Sequence, residues 1–198
     1  MFKKGAMFGL DARIALVIFG ALSVISGAAL YSAIKDSKVV ALLTEVDEIE
    51  KALTAYYLDV GSFPPHATTN PGRDLNAAYL KANTANVTGW NGPYFTDKDS
   101  TSKLIVTPTI TTSTLTYRNS DTWTNYNTDS DCTQSGDPCY VYVWVSIDDD
   151  ATKKEIEQRL DGNTITTATE YSGNVRVHTT GVFIKTGLAY PNSLSPNS

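Results

Sequence analysis

The 198-residue chain sets 16 Lys and Arg against 21 Asp and Glu, giving a formal net charge of -5 and a sequence pI near 4.9. Binding to nucleic acid draws on clustered Lys and Arg that release counterions, and no such cluster occurs, so this composition argues against a nucleic-acid partner. The residues beyond position 35 suffice for one globular unit that buries its own core.

The chain opens with a short basic leader and head, residues 1–13 (MFKKGAMFGLDAR), in which Lys3 and Lys4 precede Gly5 and Gly9, and Asp11 and Arg13 follow. Residues 14–34 then run for twenty-one positions without a formal charge. At about 1.5 Å of rise per residue such a helix spans a hydrocarbon core of roughly 30 Å, so it reads as a transmembrane segment. The lysines at the extreme N-terminus place that end in the cytoplasm and the polar remainder outside, with Lys35 and Lys38 opposing this bias. The run exceeds the ordinary apolar region of a secretory signal peptide. Ser26 to Ala29 (SGAA) nevertheless offers a small-residue cleavage site, which would release a soluble protein.

The helical pattern continues past the span over residues 35–58. Val39, Leu42, Leu43, Val46, Ile49, Leu53, Tyr56 and Tyr57 recur at three- and four-residue intervals, with Glu45, Asp47, Glu48, Glu50 and Lys51 between them. No proline interrupts Asp11 to Phe63, so one helix of some forty-five residues is allowed, half in lipid and half against a domain. The alternative is an anchor, a bend near Lys35 and a separate first helix. Inside the span Gly20, Ser23, Gly27 and Ala28 permit close helix approach.

A basic leader ending at KKG, a charge-poor span, an amphipathic continuation and then YYLDVGSFPP (Tyr56 to Pro65) together resemble the type IV pilin-like superfamily, which includes the pseudopilins of type II secretion. Tyr56, Tyr57, Asp59, Gly61, Phe63 and Pro64 match the end of the long helix in the major pseudopilins, and GWNGPYF (Gly89 to Phe95) resembles the turn that follows. The resemblance implies a precursor cut after a glycine by a membrane prepilin peptidase, methylation of the new N-terminus and packing of helices into a filament core. Gly5 is the favoured cleavage position and Gly9 the alternative. The family normally carries Glu at the fifth mature position, where it pairs with a neighbour's N-terminal amine. A cut after Gly5 makes Asp11 sixth, and a cut after Gly9 makes it second, so Asp11 is read as a stand-in acid or as a helix N-cap. The stripe Val39, Leu42, Leu43, Val46, Ile49 and Leu53 is assigned to helix packing.

Residues 59–198 read as an exported α+β domain, with the long helix packed on an antiparallel sheet. Asp59 to Pro65 ends the helix, and Phe63 is placed to pin the chain to the core. A short helix is predicted at Asp74 to Lys81, and Trp90, Tyr94 and Phe95 supply apolar bulk. Lys103 to Tyr117 reads as one edge strand or two short strands split at Pro108, and Cys139 to Ile147 is the strongest strand. Cys132 and Cys139, an even pair outside the cytoplasm, are expected to form a disulfide at that strand's entrance. Asp150 to Asp161 reads as a helix capped by Asp150 or Thr152 and closed by Gly162. A hairpin of Asn174 to His178 with Val182 to Lys185 follows, and the tail from Tyr190 reads as frayed.

Catalytic chemistry has little support. His66 and His178 lack a nucleophile motif near either ring, no Cys/His metal spacing occurs, and no glycine-rich phosphate loop appears. Acids cluster at Asp129, Asp131 and Asp137 and again at Asp148, Asp149 and Asp150. Related pseudopilins hold calcium in a C-terminal loop, so these acids are weak calcium candidates, with a solvated acidic loop as the plainer reading. No cofactor is otherwise expected. The first expectation is a non-enzymatic, prepilin-like subunit, single-pass in the inner membrane. It polymerises with copies of itself or with other pilin-like subunits through an inner-membrane assembly platform, into a periplasmic pseudopilus or a surface pilus. The alternative is a singly anchored exported binding or adhesin domain.

Overall fold

The structure is a computed structural model that describes residues 8–68, 73–96, 113–119, 123, 132, 138–162 and 171–191. The chain divides into two compact units, Met1–Val40 and Ala41–Ser198. A single helix, α1 (Phe8–Val60, 53 residues), runs through that division, so the anchor and the first domain helix are one element of secondary structure. Nothing in its sequence removes an intrahelical hydrogen bond: the first proline is Pro64.

In the N-terminal unit every residue from Asp11 to Ile34 is exposed. In the second unit the remainder of α1 is two-faced. Leu42, Val46, Ile49, Leu53 and Tyr56 are buried at three- and four-residue spacing, while Leu43 is half-buried and Asp47, Glu48 and Lys51 face solvent.

Among the described residues the sheet has five antiparallel strands in the order β1 (Asp74–Leu75), β2 (Ser113–Asn119), β3 (Cys139–Ser146), β5 (Gly181–Ala189) and β4 (Val175–His178). Pairing of Leu115 with Val143 and of Val143 with Ile184 lines one face with aliphatic side chains. Val141, Val143, Val145, Val175, Val177, Val182 and Ile184 are all buried there. That face packs against α1, which makes the fold α+β. The opposite face carries Tyr142, Trp144 and Phe183, with Trp123 and Tyr171 packed on them and the Arg176 guanidinium 5.0 Å from the Trp123 ring. Gly181 begins β5 where a Cβ would lie 2.2 Å from the Val145 carbonyl, so the turn into that strand requires glycine.

Helix α2 is a single turn (Ala78–Lys81), and α3 (Asp150–Leu160) lies against β4. Four expectations are corrected here. The predicted helix at Asp74 to Lys81 begins as a strand, because Asp74 and Leu75 pair with Thr116 and Leu115. The cap of α3 is Asp149, whose carboxylate accepts from the Thr152 amide at 3.0 Å, rather than Asp150 or Thr152. Strand β5 runs to Ala189, four residues beyond the predicted hairpin, through an irregularity opposite Tyr140 to Tyr142. Tyr190 is buried and stacked on Tyr117 at 4.5 Å, so the tail is anchored at its first residue. Residues 97–112, with Pro108, lie outside the described residues, as do Gly5, Asp129, Asp131 and Asp137.

At both edges of the sheet the chain itself satisfies some of the outward backbone groups. Beside β1, Ala67 N–H donates to the Asp74 carbonyl and Asn76 N–H to the Pro65 carbonyl. Beside β4, the Val175 amide donates to the Asp161 carboxylate at 2.8 Å.

Candidate functional site

The feature of the N-terminal unit that demands a partner is its helix surface. Leu16, Val17, Phe19, Val24 and Ile25 are each about two-thirds exposed or more. A polypeptide in water does not leave a continuous apolar helix of this kind uncovered, because burial is worth roughly 25 cal/mol per Å². The helix is long and apolar enough to cross a membrane. Gly20 and Gly27 have nothing within 4 Å of the place a Cβ would occupy, so each leaves a notch on that surface. Asp11 sits in the first turn, where a negative charge complements the helix dipole. Gly9 lies inside α1 and is exposed.

The stripe residues divide differently. Leu42, Val46, Ile49 and Leu53 are used inside their own domain, in contrast to the exposed span. The end of α1 is closed by the segment Gly89 to Phe95. Gly89 adopts a φ of +85°, and a Cβ there would come within 2.4 Å of the Asp59 carbonyl, so only glycine lets the segment approach the helix end. Tyr94 then donates its hydroxyl to the Asp59 carboxylate at 2.8 Å and accepts from the Asn91 amide at 2.7 Å. Its ring meets Tyr56 edge-on at 5.7 Å, and Trp90 donates Nε1–H to the Tyr79 carbonyl at 2.7 Å. Trp90 is thereby held by the fold. Burial pushes the Tyr94 phenol above its ordinary range. Phe63 stacks between Tyr57 at 4.8 Å and Tyr190 at 5.1 Å, the pinning role expected of it.

The two histidines lie against opposite faces of the sheet. His66 packs on Tyr117 at 5.1 Å, and His178 meets Trp144 at 5.9 Å, so they share no site. Asp149 caps α3, and Asp150 pairs with the buried Lys153 at 2.7 Å, which occupies two of the three acids with structural work. Among the described residues no group of three or more His, Cys, Asp or Glu is disposed to hold a metal ion. Cys132 and Cys139 form a disulfide, as their position predicts.

Sequence reasoning missed a groove of about 450 Å³ on the solvent side of α1, lined by Ala41, Thr44, Glu45, Glu48, Tyr94, Phe95 and Thr96. The helical spacing of the first four is visible in the sequence, but the wall comes from a distant loop. Burial, and then the neighbouring Glu48 charge, raise the Glu45 carboxyl above its usual range.

No curated protein and no solved structure matches the chain. Residues 29–103 match the family model for the type II secretion system, protein G, a family of structural pseudopilins. The match takes in the last six residues of the span, the amphipathic half of α1, and the closing segment Gly89 to Phe95. Over residues 29–103 the chain is thus similar to the pseudopilins, and its long apolar helix on an antiparallel sheet is a pilin-like arrangement.

Proposed function

We propose that the chain is a structural subunit that polymerises through the first half of α1 into a type II secretion pseudopilus or a related filament. The observation that carries this reading is the uninterrupted exposure of Asp11 to Ile34 on a helix that continues into a folded domain. Such a surface has two apolar environments open to it, lipid before assembly and neighbouring helices afterwards. Transfer between them keeps the apolar area buried throughout. Copies of this chain and other pseudopilin subunits are the partners, with an inner-membrane platform to extract subunits from lipid. The lysines at the N-terminus support a cytoplasmic start and an exported domain.

The leader is removed by a prepilin peptidase in this reading, and Asp11 provides the acid near the mature N-terminus. Cleavage after Gly5 leaves it sixth, and cleavage after Gly9 leaves it second. The test is intact mass with N-terminal peptide mapping of protein from its native membrane, together with imaging of sheared filaments. A methylated start at Ala6 or Leu10 and a lattice of subunits support the reading. An uncut, monomeric chain overturns it in favour of a singly anchored binding domain, and a start near Ala28 to Leu30 overturns it in favour of a released protein.

A further inference from the structure

The groove on α1 presents one stripe of the helix, Ala41, Thr44, Glu45 and Glu48, against a wall of Tyr94, Phe95 and Thr96. Its volume of about 450 Å³ exceeds what one side chain fills. The groove is acidic. On the exposed surface of the helix Lys51 pairs with Asp47 at 2.6 Å and more distantly with Glu48 at 3.4 Å, and exposed pairs of this kind are weak enough to be exchanged. An aromatic wall beside two carboxylates suits the apolar stem and charged head of a long basic side chain.

The chain itself carries a matching pair. Lys35 and Lys38 stand three positions apart, as do Glu45 and Glu48, and the two pairs are offset by ten positions. A second, parallel copy displaced by ten helical residues, about 15 Å, therefore brings its lysine pair level with the glutamate pair. We infer that this groove is an intersubunit dock that receives Lys35 and Lys38 of a second copy of the chain. The dock rests on the filament reading and adds to it a register: apolar helix surface supplies the association, and the charge pair selects which stagger is kept.

The test uses the full-length chain in its native membrane, with disulfide formation at Cys132 and Cys139 as the sign that the domain is exported and folded. Glu45→Lys with Glu48→Lys lowers the assembled fraction about tenfold or more, and adding Lys35→Glu with Lys38→Glu restores most of it. In a chain carrying both Lys38→Cys and Glu48→Cys, mild oxidation yields covalent dimers that neither single variant gives. Normal assembly of the parent with no crosslink and no rescue by the fourfold variant overturns the dock and leaves the filament standing. A parent that does not assemble overturns both, and the two failures are thereby distinguished.

Discussion

The Glu50 carboxylate accepts a hydrogen bond from the Gly187 amide at 3.0 Å, joining α1 to β5 across 137 positions of sequence. The bond exists because β5 departs from regular pairing here: Tyr142 is opposite Lys185 and Tyr140 opposite Ala189, so three residues of β5 face one of β3. Thr186 fills the gap by donating its hydroxyl to the Val141 carbonyl at 2.8 Å, which leaves the next amide, that of Gly187, turned to the helix. Glu50→Ala is expected to cost about 1 kcal/mol, the usual net worth of a hydrogen bond. Gly187→Ala sets a Cβ 2.9 Å from the same carboxylate oxygen and displaces it. In denaturant unfolding the double variant loses less than the two single losses added together, since both act on one contact. Strict additivity would show that the bond does not couple helix and strand.

A second prediction concerns the aromatic cluster beneath the end of α1. Tyr190 stacks on Tyr117 at 4.5 Å and packs on Phe63 at 5.1 Å, and its amide donates to the Cys139 carbonyl at 2.8 Å. Tyr190→Ala keeps that backbone bond and removes the ring, at an expected cost of about 3–5 kcal/mol. The readout is the unfolding midpoint of the full-length chain in detergent, and a loss within about 1 kcal/mol would show that Tyr117 and Phe63 close the gap.

Much of this was legible beforehand, and the reasons differ by element. The span, the buried stripe of α1 and strand β3 each carry a periodicity or a run long enough to declare itself, as in CYVYVWVS. Strand β1 is two residues long and exists only because β2 is beside it. The cap of α3 was placed at Asp150 or Thr152 because, in a run of three aspartates, composition does not say which residue leaves the helix. The extended backbone of Asp149 (φ -78°, ψ 110°) decides between them. The groove was invisible because Tyr94 and Phe95 reach it only through the turn at Gly89 to Pro93. No local pattern encodes that approach.

A third prediction tests Lys153, which is 2% exposed and lies under the β4–β5 turn. Its ammonium donates to the Thr179 carbonyl at 2.9 Å and to the His178 carbonyl at 3.4 Å, and it pairs with Asp150. Lys153→Met preserves the stem and leaves those acceptors without that donor, at a cost of about 1–3 kcal/mol. Amide exchange at Val177 to Gly181 is the local readout. Unchanged protection there would show that the turn stands without the lysine.

The histidines make stability pH-dependent in a fixed direction. Burial lowers the pKa of His66 below its ordinary 6.5, against an opposing hydrogen bond to the Asp74 backbone. Burial and then the Lys153 charge lower that of His178. Above pH 6.5 both rings are neutral in the folded and unfolded chain and contribute nothing. As pH falls below 6.5 the unfolded chain binds protons that the folded chain refuses, so stability declines until the folded pKa values are passed. His66→Phe is expected to flatten part of that decline, measured as unfolding free energy from pH 7 to pH 5. An identical slope in the variant would show that His66 is as easily protonated in the fold as outside it.

The last prediction separates the two halves of α1, because the same helix serves two environments. Leu42 is 1% exposed inside its own domain, and Leu42→Asp places a charge where no solvent or partner offsets it. The expected cost is more than about 4 kcal/mol, enough to remove the folded domain and with it any filament. Gly20 has open space around it in the subunit, so Gly20→Leu leaves the domain as stable as the parent. In a filament the notch at Gly20 is where a neighbouring helix approaches, and the added side chain holds the two helices apart. Gly20→Leu is therefore expected to reduce assembly while the Cys132 and Cys139 disulfide and the unfolding midpoint remain those of the parent. Assembly by Gly20→Leu at parental levels would show that the filament contacts lie on another face of the span, since the apolar surface there is exposed all around the helix.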